Sequence, residues 1–135
     1  MAVDYNTAII EEFRANNGKL SGQLEDSRLV LVNTTGAKSG KVHTVPLAYL
    51  KEGNRVFIVG SAGGSDRHPA WYYNLLANPD VSYELGGAPV PARARLLEGD
   101  ERADAWTRIV AALPFFGDYA GKVSREIPVF VLEPR

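Results

Sequence analysis

The sequence predicts an α+β domain built on a mostly antiparallel sheet that curves towards a barrel. Three observations carry this reading: six short apolar segments of strand length, glycine turns tight enough to join two pairs of them as hairpins, and prolines within strand-like runs. Prolines cannot donate to a ladder, so Pro46, Pro89 and Pro91 belong at edges or bulges of a curved sheet rather than in a flat central strand. The strand–helix alternation of a doubly wound nucleotide-binding fold is missing. At 135 residues the chain fits one domain, with an N-terminal helix and mobile-looking loop at 1–27 and the sheet from 28 to 135. A hydrophobic content of 45% is enough to bury roughly two thirds of the unfolded surface, which excludes intrinsic disorder.

Residues 4–17 place Ile9, Ile10 and Phe13 on one helical face, with Asp4 as N-cap and Asn17-Gly18 as the stop. Glu11 and Glu12 stand where a membrane-surface helix needs lysines, so packing on the domain is favoured and peripheral membrane contact is the alternative. Strand-like segments follow at 29–32, 42–50, 55–60, 81–85, 89–97 and 127–132. Gly53-Asn54 and Gly86-Gly87 predict the antiparallel pairs 42–50 with 55–60 and 81–85 with 89–97. Helices are expected from Pro69 to Ala77 and from Asp100 to Leu113, the latter burying Ala103, Trp106, Val110 and Leu113. A short helical piece is expected from Phe115 to Lys122.

Composition removes several function classes. Lys+Arg 15 against Asp+Glu 16 leaves a formal charge of −1, so there is no net cationic field for nucleic acid. Without cysteine there is no disulfide, thiolate metal site or thiol nucleophile, and His43 and His68 alone supply imidazole, so no metal site is expected. The acidic N-terminus and the lack of an apolar run of roughly 20 residues predict a soluble cytoplasmic protein. No GxSxG, HExxH or paired-carboxylate constellation is visible, so an enzyme built this way would borrow its reactivity from an organic cofactor.

Three stretches remain as candidates for chemistry. Between Ser27 and Lys51 there is no acidic residue, whereas Arg28, Lys38, Lys41, His43 and Lys51 fall there. At the centre, TTGAKSGKVHTVPL (34–47) combines Gly36 and Gly40 with lysines and hydroxyls, which suits a phosphate or carboxylate. It is not a Walker A loop: three residues rather than four separate the glycines, and Val42 replaces the magnesium-binding hydroxyl. A solvated hairpin with incidental lysines is the plainer reading. In the second stretch, VGSAGGSDRHPAWYYNLLANP (59–79), a glycine-rich strand end feeds a helix whose N-terminus, with Ser61, can meet a ring carbonyl or an anion. Trp71 can cover an aromatic ring with Asn74 beside it, or Trp71, Tyr72 and Leu75 can simply face the core. The third stretch, FFGDYAGK (115–122), offers Phe115, Phe116 and Tyr119 as a flap, with Tyr119 able to donate a hydrogen bond or proton.

Taken together, TTGAKSGKVHTVPLAYL, VGSAGGSDRHPAWYYNLLANPDV and IPVFVL, in that order, resemble the deazaflavin-dependent nitroreductase family, actinobacterial enzymes that use reduced coenzyme F420. The likeness runs from about residue 28 to 134 and implies a split β-barrel of the FMN-binding, flavin-reductase type. It also implies hydride transfer from carbon C5 of the reduced deazaflavin to a quinone, nitroaromatic or activated enone. On that resemblance, Ala37, Lys38 and Ser39, with His43, Thr44, Val45, Pro46, Leu47 and Ala48, line the cofactor's anionic tail and groove, and Lys41 assists. Val59, Gly60, Ser61 and Ala62 meet the ring, as do Ala70, Trp71, Tyr72, Tyr73 and Asn74 at the helix start. Ser61 and Tyr119 are the implied catalytic residues, and Phe116 lies in the substrate lid. The family usually has arginine where this chain has His43, and a threonine where it has Val123. Leu113 and Phe116 replace lid tyrosines of its best-known member, which makes the pocket more apolar. FMN, whose single phosphate also suits Lys38 and Ser39, is the alternative cofactor. A noncatalytic carrier of lipid or another apolar or anionic ligand is the alternative outside enzymology.

Overall fold

The computed structural model describes residues 5–20, 28–61 and 67–135. The expected Asp4 cap and most of the polar loop before Arg28 lie outside them. Helix α1 (Tyr5–Ala15) precedes strands β1 (Leu29–Thr35), β2 (Val42–Glu52) and β3 (Arg55–Val59). Helix α2 (Ala70–Ala77), strands β4 (Asp80–Glu84) and β5 (Val90–Leu96), helices α3 (Gly99–Ala112) and α4 (Phe115–Ala120) and strand β6 (Val129–Pro134) complete the chain.

The six strands close into an antiparallel barrel in the order β1-β2-β3-β6-β5-β4. Both hairpins expected from glycine are present. Glu52 pairs with Arg55 around Gly53, whose φ of +63° is one that L side chains rarely adopt. In the β4–β5 turn a Cβ on Gly86 would collide with the Asn17 carbonyl oxygen, so this glycine is where α1's end docks against the barrel. The prolines find their places because strands exchange partners. Strand β2 pairs with β1 through Ala48 and with β3 only from Tyr49, so Pro46 lies where the ladder is one-sided. Pro91 likewise pairs with Ser82 just before the β5–β6 ladder opens at Ala92.

Alternation sorts the apolar residues into an inside and two outer patches. Val30, Val32, Val56, Ile58, Phe130 and Leu132 fill the interior, and Trp71 and Leu75 of α2 join them. Outside, Phe57, Val59, Val129 and Val131 pack beneath Ala105 and Ile109 of α3 and Phe116 of α4. On another flank Leu31 receives Ile9 and Phe13, so the apolar face of α1 is spent on the barrel. Among the described residues no helix is long and apolar enough to cross a membrane.

Several expected boundaries move. Strand β1 runs on through Asn33, Thr34 and Thr35 because these polar residues find partners in β2. Strand β6 begins two residues later than expected, at Val129, because Pro128 packs its ring where a Cβ on Gly60 would stand, 2.8 Å away. The expected stripe of α3 holds at Trp106, Val110 and Leu113, which pack partly buried against the outer patch, and is corrected at Ala103. Ala105 and Ile109 are its buried residues and Ala103 faces solvent. Arg102 takes the flank instead, donating to the Ile127 carbonyl (2.6 Å) with its guanidinium over the Trp106 ring.

One ion pair fastens α1 to the sheet. Arg14 donates to both oxygens of Glu84, at 3.1 and 2.8 Å, and Asn33 donates a further bond to the same carboxylate at 3.0 Å. Glu84 is only 6% exposed, so this carboxylate needs its partners. The Arg14 hydrogen bonds hold the Glu84 carboxyl below its ordinary 4.5, against the opposing effect of burial and with help from Asn33. A carboxyl lowered by folding stabilises the protein fully above that ordinary value and ceases to do so as pH falls through its lower folded value. Replacing Arg14 with Ala is therefore expected to cost on the order of 2 kcal/mol near neutrality, measured as the shift in urea midpoint. The deficit should shrink on acidification below pH 4.5. An unchanged midpoint at pH 7 would show that the half-exposed guanidinium contributes nothing.

Candidate functional site

The cationic glycine stretch forms the tip of the β1–β2 hairpin. The Gly36 N–H bonds the Lys41 carbonyl at 2.7 Å, and the Gly40 N–H bonds the Gly36 carbonyl at 3.0 Å, closing the loop on itself. Gly40 takes φ +70°, and a Cβ on Gly36 would stand 2.5 Å from Ser39 Oγ and 3.1 Å from His43 Nε2. Gly40 is thus favoured by its backbone angle, and a side chain at Gly36 would have to displace those of Ser39 and His43. Ser39 Oγ accepts the Lys41 N–H at 3.1 Å, and the Lys38 and Lys41 side chains remain exposed.

Helix α2 stands opposite this tip. Trp71 and Leu75 anchor it in the barrel interior, with Trp71 edge-on to Phe130 at 5.9 Å between ring centroids. Asn74 then reaches the hairpin. Its Oδ1 accepts the Ala37 N–H at 3.0 Å, and its Nδ2 makes a long bond, 3.4 Å, to Thr34 Oγ1. One turn on, Asn78 Nδ2 donates to the Thr35 carbonyl, also at 3.4 Å. The two asparagines latch helix to hairpin along one face.

Between the two walls lies a cleft of about 830 Å³, within the range of small-molecule and cofactor sites. Lys38, Ser39, His43 and Thr44 line it from the hairpin side, and Ala70, Trp71, Tyr73 and Asn74 from the helix, with Ala37 and Val45 also at its surface. Among the described residues no carboxylate lines it. Thr34 and Gly36 line it as well, although the family likeness did not assign them. Trp71 resolves the two readings left open by the sequence, since it is 7% exposed in the core and still borders the cleft. Asn74 spends its amide on the hairpin, so it shapes the cleft whether or not it touches a ligand.

The remaining expected residues lie elsewhere. Leu47 packs against the barrel interior and Ala48 against the outer α3–α4 patch, as alternation along β2 requires, and Pro46 is half-buried between them. Lys41 is exposed but contributes its backbone to the hairpin closure. Val59, Gly60 and Ser61 are buried at the end of β3, and Ala62 with its glycine neighbours lies outside the described residues. Tyr72 stacks on His68, centroids 4.1 Å apart. Phe116 is 4% exposed and Tyr119 packs with the same outer patch, so neither borders the cleft. The aromatic displayed by that segment is Phe115, 40% exposed.

A second gathering of polar groups was not legible in the sequence. Arg125 donates to the carbonyls of Gly60 and Ser61, each at 3.1 Å, and approaches His68 Nδ1 at 3.1 Å. Desolvation, and then the Arg125 charge, push the His68 imidazole below its usual value. These partners lie 57 to 65 positions away in the chain, and an isolated arginine before a strand gives no local sign of such contacts.

Residues 7–134 match the family described as F420H(2)-dependent quinone reductase. The chain is 34% identical over 137 residues to an F420H(2)-dependent quinone reductase of Mycobacterium tuberculosis H37Rv, covering 91% of this chain and 85% of that protein. Among solved structures, an F420-H2 dependent reductase (FDR-A) is 46% identical with a TM-score of 0.72, over 78% of this chain and 93% of the other. A structure described as a domain-swapped dimer is 42% identical with a TM-score of 0.75, over 92% and 94% of the two chains. The closed antiparallel barrel, its flanking helices and these matches together establish that the chain belongs to the F420H(2)-dependent quinone reductase family and is an F420-dependent oxidoreductase.

Proposed function

We propose that the cleft between the β1–β2 hairpin and α2 holds reduced coenzyme F420 and presents it to a quinone, with nitroaromatics and activated enones as further acceptors. The observation that carries this reading is an 830 Å³ cleft with a lysine at its rim and, among the described residues, no carboxylate in its lining, in a protein whose net charge is −1. The residues fit the group. Lys38 supplies a cation, Ser39 and Thr44 supply hydroxyls, and Trp71 and Tyr73 supply flat apolar surface for a ring system. His43 adds an imidazole where its relatives' pattern has a permanent cation, which leaves Lys38 as the dominant charge on the tail. Bound reduced F420 supplies the hydride. The chain's own work is to orient: the Asn74 latch fixes the separation of the two walls, and the closed hairpin tip presents Lys38 without further ordering. Ser61 and Tyr119 are proposed as catalytic groups on the family resemblance alone: Ser61 is buried at the end of β3 and Tyr119 packs in the outer patch, and neither lines the cleft. Family membership favours this over the FMN and lipid-carrier readings.

Mixing the protein anaerobically with reduced F420 and menadione should restore the visible absorbance of the oxidised cofactor; an inert mixture would sink the assignment. Changing Lys38 to Ala should weaken cofactor binding by on the order of 1–3 kcal/mol, read by fluorescence titration, and unchanged affinity would remove Lys38 from the tail site. The two substitutions at Asn74 separate shape from charge. Asn74→Ala loses the latch and should lower both stability, by about 1 kcal/mol, and affinity. Asn74→Asp keeps an acceptor for the Ala37 N–H yet adds a negative charge, so its affinity should fall further than its thermal stability. Equal losses in the two variants would argue that no anion enters the cleft.

A further inference from the structure

The β3–α2 connection begins at Gly60 and delivers the chain to Pro69, which caps the helix carrying one wall of the cleft. Arg125, from the segment between α4 and β6, touches both ends of that connection. One guanidinium nitrogen donates to the Gly60 and Ser61 carbonyls and another meets His68 Nδ1, all at 3.1 Å. His68 in turn lies flat on Tyr72 in the first turns of α2, with planes 16° apart, and edge-on to Tyr73. A planar fork with several donors is needed to serve two carbonyls and a ring nitrogen together, and a lysine ammonium on its flexible stem matches that geometry poorly.

We infer that Arg125 is a positioning residue for the cleft: it clamps the end of β3 to the start of α2 and thereby sets where Trp71, Tyr73 and Asn74 stand against the hairpin. Through the same contacts it holds the Ser61 backbone in place. Because arginine only donates, the His68 Nδ1 it meets must be the acceptor, which places the ring proton on Nε2. The connection from Arg125 to the cleft thus runs by way of an imidazole whose tautomer is fixed by the clamp. This inference rests on the proposed cofactor reading for its kinetic consequence but not for its geometry.

The test uses Arg125→Gln and Arg125→Lys in the full chain, compared at equal folded fraction. Arg125→Gln should raise KM for reduced F420 about tenfold while kcat changes much less, because the reacting groups stay and the wall that seats the cofactor shifts. Arg125→Lys should recover part of the loss. In the cofactor-free protein, nitrogen-detected NMR should show His68 protonated on Nε2 in the wild type. In Arg125→Gln that preference should weaken and the imidazole titrate at higher pH, since one of the two causes lowering it is gone. A fall in thermal stability with unchanged KM and unchanged His68 titration would overturn the inference and leave Arg125 a merely structural residue. If the wild type does not oxidise reduced F420 at all, the functional reading fails, and the His68 tautomer and titration alone decide the clamp. If Arg125→Gln does not fold, Arg125→Lys carries the same two readouts with smaller shifts, and their absence overturns the inference equally.

Discussion

Trp71 and Leu75 sit among the interior residues of the barrel, beside Phe130, and that burial fixes helix α2 relative to the sheet. Removing an aromatic of this kind from a packed interior costs roughly 3–5 kcal/mol, a large share of what a domain of this size has in hand. Everything at the cleft inherits its geometry from this plug. Asn74 and Asn78 can latch the hairpin only because α2 is already seated, and Arg125 can bridge β3 and α2 only because the same helix begins where the barrel ends.

The plug also explains how one short helix serves two environments. Its inner face is apolar core, and its outer face exposes Tyr73 at 52% and Leu76 at 50%. Trp71 lies on the boundary, close-packed on one side and open to the cleft on the other. A cleft wall made from a core residue is rigid without needing further support. The opposite wall is rigid for a different reason: its tip is closed by backbone hydrogen bonds across a turn in which Gly40 takes a left-handed angle.

Charge is distributed to match. Several acids elsewhere pair with arginines, as Glu84 does with Arg14, Glu52 with Arg108, and Glu101 and Glu133 with Arg95. The hairpin from Lys38 to Lys41 carries no such partner of its own in the sequence around it, so a chain with a net charge of −1 presents a local cationic rim. An anionic cofactor is attracted by that local field, whereas a nucleic acid would require a much larger one.

Local pattern by itself determined the strand pairs, the hairpin tip and the start of α2, because turns need particular backbone angles and a strand alternates its faces within a few residues. Its motifs also reached most of the cleft lining, from Ala37 to Val45 and from Ala70 to Asn74. Only the tertiary structure decided which faces meet. The stripe of α3 turned out to centre on Ala105 and Ile109, with Ala103 turned to solvent. Phe116 went under the outer patch while its neighbour Phe115 stayed at the surface, a choice fixed by how α4 folds back on the barrel. Arg14 with Glu84, and Arg125 with Ser61, join positions 70 and 64 apart in the chain. Hydrogen bonds and burial between such distant residues leave no periodicity to read, and they exist only once the sheet has closed.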